Sequence, residues 1–164
     1  METPITVDLK FFTDDRGNIR QTFDEKTYEE VFHKVKRIYE IDNGAGVCRA
    51  YHGHLNESKI IIVKKGRFKF VGIPIIKNDD GNILPINQKN FDKMKELMVS
   101  FFIDGKSHKA VFFPAGWYNG YISYNEGELY VLSDSSLEES KNDDFRLSYD
   151  LFGKEVWEVK NRWK

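Results

Sequence analysis

Cysteine is nearly missing from this chain. Cys48 is the only one among 164 residues, so no intrachain disulfide can form and a reducing cytoplasm is the expected home. No apolar run approaches the roughly 20 residues that cross a bilayer as a helix. The opening Met1-Glu2-Thr3-Pro4 has neither the basic stretch nor the apolar centre of a secretory signal. Charge of one sign is lacking too. The formal net charge is -1, which gives no field to attract nucleic acid or an anionic membrane, and neither is expected as a partner. Proline is scarce at four residues, and repeats, low-complexity tracts and linkers are absent. A chain of this length is expected to form one domain, residues 1–164, with a core of its own.

Aromatic residues are plentiful. They make up 15% of the chain with 13 Phe, a composition that favours strands over a helical bundle. Residues 5–12 read as a strand, and Asp14-Asp15-Arg16-Gly17 as a turn into a second strand near 18–23. Thr22-Phe23-Asp24-Glu25 has capping-box spacing, and Tyr28, Val31, Phe32 and Val35 recur at helical intervals, so a short helix is expected over about 25–35. Alternation then predicts strands at 36–42 and 48–54. The run Ile60-Ile61-Ile62-Val63 is apolar on both faces, as in a strand inside a sandwich or barrel. Arg67-Phe68-Lys69-Phe70, the end of 94–103, 109–113 and 128–133 complete the strand pattern, with 77–82 a loop. Many short strands with glycine-containing turns and one helix indicate an all-β sandwich or small barrel.

Chemistry concentrates at Arg49-Ala50-Tyr51-His52-Gly53-His54, followed by Lys59. Side chains two apart on a strand share a face, so both imidazoles project together. Two titratable rings beside a cation can hold a metal or move protons. The spacing of Gly46, His52, His54 and Gly66, with the later turn Pro114-Ala115-Gly116-Trp117-Tyr118-Asn119, resembles the two signature motifs of the cupin superfamily. The resemblance implies a jelly roll, a double-stranded β-helix. In metal-binding cupins the ligands are the paired His, a Glu and a His of the second motif. Here Lys59 stands at the Glu position and Asn119 at the second-motif His position. An ammonium repels a divalent ion and an amide is a weak ligand, so no metal and no other cofactor is expected.

A closer resemblance runs through most of the chain. Asp14-Asp15-Arg16-Gly17, Arg49-Ala50-Tyr51-His52, Lys59, the Pro-Ala-Gly-Trp turn and Asp144-Phe145-Arg146-Leu147-Ser148-Tyr149-Asp150 with Trp157 follow the order seen in dTDP-4-dehydrorhamnose 3,5-epimerase-like cupins. Val35-Lys36-Arg37-Ile38-Tyr39-Glu40-Ile41 through His54 is also similar to a sister group, the nucleotide-sugar 3,4-ketoisomerases. The resemblance implies proton abstraction beside the 4-keto group of a nucleotide-linked deoxysugar, in polysaccharide or deoxysugar biosynthesis. It makes His52 the base, Lys59 the cation that stabilises the enolate, Arg49 a contact to the sugar and Arg16 a contact to the diphosphate. Gln21, His54 and Asn119 are further candidates to line the substrate. The family's proton-donating tyrosine falls at Leu132 here, and Tyr130, on the same strand face, is the substitute read from the sequence. No residue matches the aspartate that orients the base, and Glu138-Glu139 with Asp143-Asp144 read as a solvated acidic loop. The resemblance also implies a homodimer with strand 5–12 crossing over. A 3,4-ketoisomerase and a non-catalytic sugar-nucleotide binder are the alternatives left open.

Overall fold

The computed structural model describes residues 2–24, 26 and 34–159. Two five-stranded antiparallel sheets face each other. One runs in the order β1 (Ile5–Asp8), β9 (Lys109–Phe113), β6 (Lys59–Lys65), β11 (Gly127–Ser133), β4 (Arg37–Asn43). The other runs β12 (Phe145–Arg146), β5 (Cys48–His54), β10 (Trp117–Ser123), β7 (Arg67–Pro74), β8 (Val99–Asp104). A hairpin of β2 (Phe11–Asp14) and β3 (Gly17–Arg20) stands apart from both, as a sheet of two strands. Among the described residues, α1 (Gln88–Glu96) and α2 (Leu137–Asn142) are short helices that flank the sandwich. The architecture is the all-β jelly roll expected from the motifs.

Parity explains the layers. In β6, Ile61 and Val63 enter the space between the sheets with Phe68, Phe70, Val111, Phe113, Tyr121, Leu129 and Val131. Ile60 and Ile62 point the other way, into a second cluster with Leu9, Ala110, Phe112 and Leu132. Both faces of β6 are therefore dry, and burial of each such side chain contributes about 1.5–3 kcal/mol. A third cluster, around Tyr51, Val71, Ile73, Met94, Tyr118 and Phe152, backs the other sheet and receives α1. The turn between β6 and β7 needs Gly66 for two reasons. Its φ is +91°, and a Cβ there would come within 2.7 Å of the Glu126 carbonyl oxygen.

Several sequence expectations shift. The strand read at 5–12 is two strands, interrupted where Leu9 is buried and its amide donates to the His108 carbonyl at 2.7 Å. The second strand ends at Arg20 rather than near residue 23. Arg20 is tied down, donating to the carbonyls of Val63 (3.2 Å) and Gly105 (2.7 Å). The helix read at about 25–35 lies outside the described residues, except for Lys26 at its start and for Lys34 and Val35 at its end. Neither α1 nor α2 is visible in the hydrophobic pattern, because each is short and caps itself with polar groups. Asn87 accepts from the Asn90 amide, and Ser136 and Glu139 form a reciprocal capping box. Strand β10 was hidden because the alternation breaks at an irregularity between Asn119 and Tyr121. Trp157 packs on Tyr51, ring centres 5.2 Å apart, as a lid on the third cluster.

Candidate active site

The polar end of the sandwich is built row by row. Ser133 pairs with Arg37 on one side and Lys59 on the other, so these three side chains cross one sheet as neighbours. One step deeper the row is apolar, with Val131 between Tyr39 and Ile61. On the facing sheet, His52 is opposite Asn119 and His54 opposite Trp117. Lys59 and His54 bridge the gap, with Nζ 2.8 Å from Nε2. Sequence parity on β5 and β6 thus brings a cation and two imidazoles to one mouth.

His52 is the accessible member, with 38% of its side chain exposed. Its Nδ1 lies 3.4 Å from a carboxylate oxygen of Asp144. With that nitrogen donating to the carboxylate, Nε2 is left as the free lone pair. Burial lowers the His52 pKa below the ordinary histidine value, Asp144 opposes the shift, and Arg146 adds to it. The ring is therefore neutral near pH 7, the state a base requires. Asp144 is held in turn by Arg146, which donates from Nε at 2.9 Å and Nη2 at 2.8 Å. Burial alone would raise the Asp144 carboxyl, but Arg146 and His52 outweigh it and keep it ionised.

The acidic stretch after α2 is therefore part of the site and not a solvated loop. Residues Phe145 and Arg146 pair with Gly53 and His52 as an edge strand, which sets Asp144 beside the ring. Asp143 accepts the amides of Leu55 (2.9 Å) and Asn56 (2.7 Å), and its carbonyl accepts from His54 Nδ1 at 2.7 Å. Glu57 is a second residue the sequence undervalued. Its side chain is fully buried and accepts from Arg37 Nη2 (2.9 Å) and the hydroxyls of Ser133 and Ser140 (both 2.6 Å). Lys59 Nζ is 3.6 Å away. Burial pushes this carboxyl up, but Lys59, the two hydroxyls and His54 bring it below its ordinary value. For Lys59 burial dominates and lowers the pKa, with Glu57 opposing.

The remaining candidates are scattered. Asn119 donates to the His52 carbonyl at 3.0 Å, so it braces the strand. Arg49 is exposed on β5 opposite Tyr121. Arg16 sits at the tip of the β2–β3 hairpin, 83% exposed and paired with Asp14. Gln21 follows that hairpin, its amide donating to the Lys10 carbonyl at 2.9 Å. Tyr130 does not join the site. Its neighbours Leu129 and Val131 point between the sheets, so Tyr130 packs on the outer cluster with Leu132, beneath the Lys64 ammonium. The expectation had the parity right and the face wrong. The tyrosines that do point inward are Tyr39, stacked under the Arg37 guanidinium at 5.0 Å, and Tyr121, bonded to Asn43 at 3.0 Å. Burial, reinforced by Glu57, pushes the Tyr39 hydroxyl up to about 12, so it carries its proton at neutral pH. Both nitrogens of His54 are occupied, and among the described residues no group of three or more His, Cys, Asp or Glu converges as a metal site.

The sequence matches no protein-family model and no curated protein at a significant level. Solved structures do match. A dTDP-4-dehydrorhamnose 3,5-epimerase from Bacillus anthracis, with TDP and PPi bound, superposes with a TM-score of 0.73 at 19% identity, covering 96% of this chain and 86% of that one. The fold is that of the nucleotide-sugar 3,5-epimerases. A 3'-monoepimerase from Streptomyces bikiniensis in complex with dTDP-quinovose gives 0.73 at 14% identity, over 98% of this chain and 80% of its own. The 3,4-ketoisomerase QdtA from Thermoanaerobacterium thermosaccharolyticum gives 0.64 at 14% identity and covers 94% of both chains. The resemblance read from the motifs is thus met by the backbone.

Proposed function

We propose that the protein is a nucleotide-sugar epimerase that enolises a 4-keto-6-deoxyhexose carried on a nucleoside diphosphate. The observation that carries the reading is the His52–Asp144 pair, a neutral imidazole with one nitrogen committed and one free, at the same mouth as the Lys59 ammonium. His52 Nε2 takes the proton from the carbon beside the ketone. The electron pair moves onto the C4 oxygen, where the Lys59 cation stabilises the enolate. Return of a proton to the opposite face of the same carbon, C3 or C5, gives the epimer, and His52 releases its proton to solvent. Arg49 and Arg16 supply the guanidinium groups for the sugar and the diphosphate. Gln21, just after the hairpin, and Asn119, on β10 beside His52, are the polar residues that complete this set. Arg16 reaches a mouth from the exposed hairpin in a homodimer, which size exclusion at micromolar concentration tests.

A second reading is favoured by one observation. Tyr39, with Arg37 over its ring, is an inward-facing protonated hydroxyl on β4, while Tyr130 faces outward. Enolisation at C3, passage of the C3 hydroxyl proton to the C4 oxygen and protonation of the C4 carbon move the carbonyl to C3. That is a 3,4-ketoisomerase. Incubation with dTDP-4-keto-6-deoxyglucose in deuterium oxide separates the cases by NMR. Deuterium at C3 or C5 with the ketone still at C4 marks epimerisation, and deuterium at C4 with a C3 ketone marks isomerisation. Ligand binding without any exchange, across several nucleobases, sinks both and leaves a sugar-nucleotide-binding protein.

A further inference from the structure

We propose that His54 is a positioning residue, a neutral imidazole locked with its proton on Nδ1, whose task is to aim the Lys59 ammonium. The imidazole is 3% exposed, and acceptors crowd one nitrogen while a donor faces the other. Nδ1 meets the Asp143 carbonyl at 2.7 Å and a Glu57 carboxylate oxygen at 3.2 Å. Nε2 meets Lys59 Nζ at 2.8 Å. A proton on Nε2 would point at an ammonium, so the network admits only the Nδ1–H tautomer. The titratable and charged groups that face the ring are Lys59 from β6, Glu57 from the loop before it and Asp143 from the end of α2.

Roles divide between the two partners of Lys59. A lysine stem is flexible and its ammonium is a point charge without preferred geometry. Glu57, at 3.6 Å, is too distant for a hydrogen bond and supplies charge compensation. His54, at 2.8 Å, is the directional contact and fixes where the cation sits. One N–H goes to the imidazole, and the others remain for a ligand oxygen. The paired histidines of the motif thus do different work. His52 faces the mouth beside a carboxylate, and His54 stands behind it beside a cation.

The first test is spectroscopic and independent of the proposed reaction. Long-range proton–nitrogen correlation on histidine-labelled protein is expected to show His54 with a protonated Nδ1 and a bare Nε2, a pattern kept as the pH is lowered through the ordinary histidine value of about 6.5. An Nε2–H tautomer, or a ring that titrates near the ordinary histidine value, overturns the proposal. The second test rests on the enolising reading. Gln at position 54 places an acceptor near the lost Nε2, whereas Asn reaches only as far as Nδ1. H54N is expected to lower kcat about 10- to 100-fold with little change in KM, and H54Q to recover most of that loss. Equal loss in both variants with native circular dichroism, or wild-type kcat in H54N, overturns it. If the wild type turns over no sugar nucleotide, the functional reading fails but the positioning role is still judged. The Lys59 ammonium should then give a slowly exchanging proton–nitrogen signal in wild type and H54Q that disappears in H54N, and its persistence in H54N is decisive against the role.

Discussion

Replacing Glu57 by Gln tests whether the mouth of the sandwich is held by a buried charge. The wild-type carboxylate is fully buried and receives Arg37 at 2.9 Å, Ser133 and Ser140 at 2.6 Å, and the Lys59 charge at 3.6 Å. The amide keeps the shape but removes the charge, so two cations face each other across a dry site. Its NH2 also cannot accept from a serine hydroxyl, which leaves a buried donor unmatched. Losing one partner of a buried ion pair costs about 3–5 kcal/mol. For a chain of this size that corresponds to a fall in Tm of roughly 6–20 °C, at about 2–4 °C per kcal/mol. Urea unfolding of wild type and E57Q, followed by tryptophan fluorescence and circular dichroism, reads the difference. The midpoint should drop while the m-value stays the same, because the surface exposed on unfolding does not change. Glu57 also carries a pH signature. Its folded pKa is lowered, so its contribution is present above the unfolded value of about 4.3 and is lost as the pH falls through the folded value. E57Q should flatten that acid limb. A loss below about 1 kcal/mol with an unchanged acid limb refutes the idea that this carboxylate organises the site.

Asp144→Asn should leave the fold intact and, on the proposed reaction, reduce solvent deuterium exchange about 10²- to 10⁴-fold, because His52 loses the group that holds its tautomer; mass spectrometry of the sugar reads it. Tyr39→Phe should slow product formation more than Tyr130→Phe, since only Tyr39 points between the sheets, and equal effects in steady-state assays would contradict that placement. Burial lowers the pKa of both His52 and His54, so as the pH falls below about 6.5 the unfolded chain binds protons that the folded chain refuses. Wild-type stability should therefore decline from about pH 6.5 downward, and a double variant H52N/H54Q should show a shallower decline in urea titrations across that range.

The local pattern was enough to place the strands that carry His52, His54 and Lys59. Alternation and an apolar run are properties of neighbouring residues, and β5 and β6 fall where alternation puts them. The turn Asp14-Asp15-Arg16-Gly17 also sits where its residues require, between β2 and β3. Substitution of Lys59 and Asn119 into a metal-binding motif spoke from chemistry alone. Other features depend on contacts between distant parts of the chain. Asp144 meets His52 across 92 positions, and Glu57 meets Ser140 across 83. Nothing local marks an acidic residue after a short helix as the partner of a ring on β5. The same limit applies to faces. Period-two alternation tells which residues of β11 share a side, but only the docking of one sheet on the other decides which side is inside. Tyr130 and Leu132 went outward for that reason, and Tyr39 inward. The sequence by itself placed β5 and β6 and the titratable side chains His52, His54 and Lys59 on and beside them, because these follow from local periodicity and residue chemistry. Only the tertiary structure decided which carboxylates flank them and which tyrosine faces them, because those relations exist only once the two sheets close.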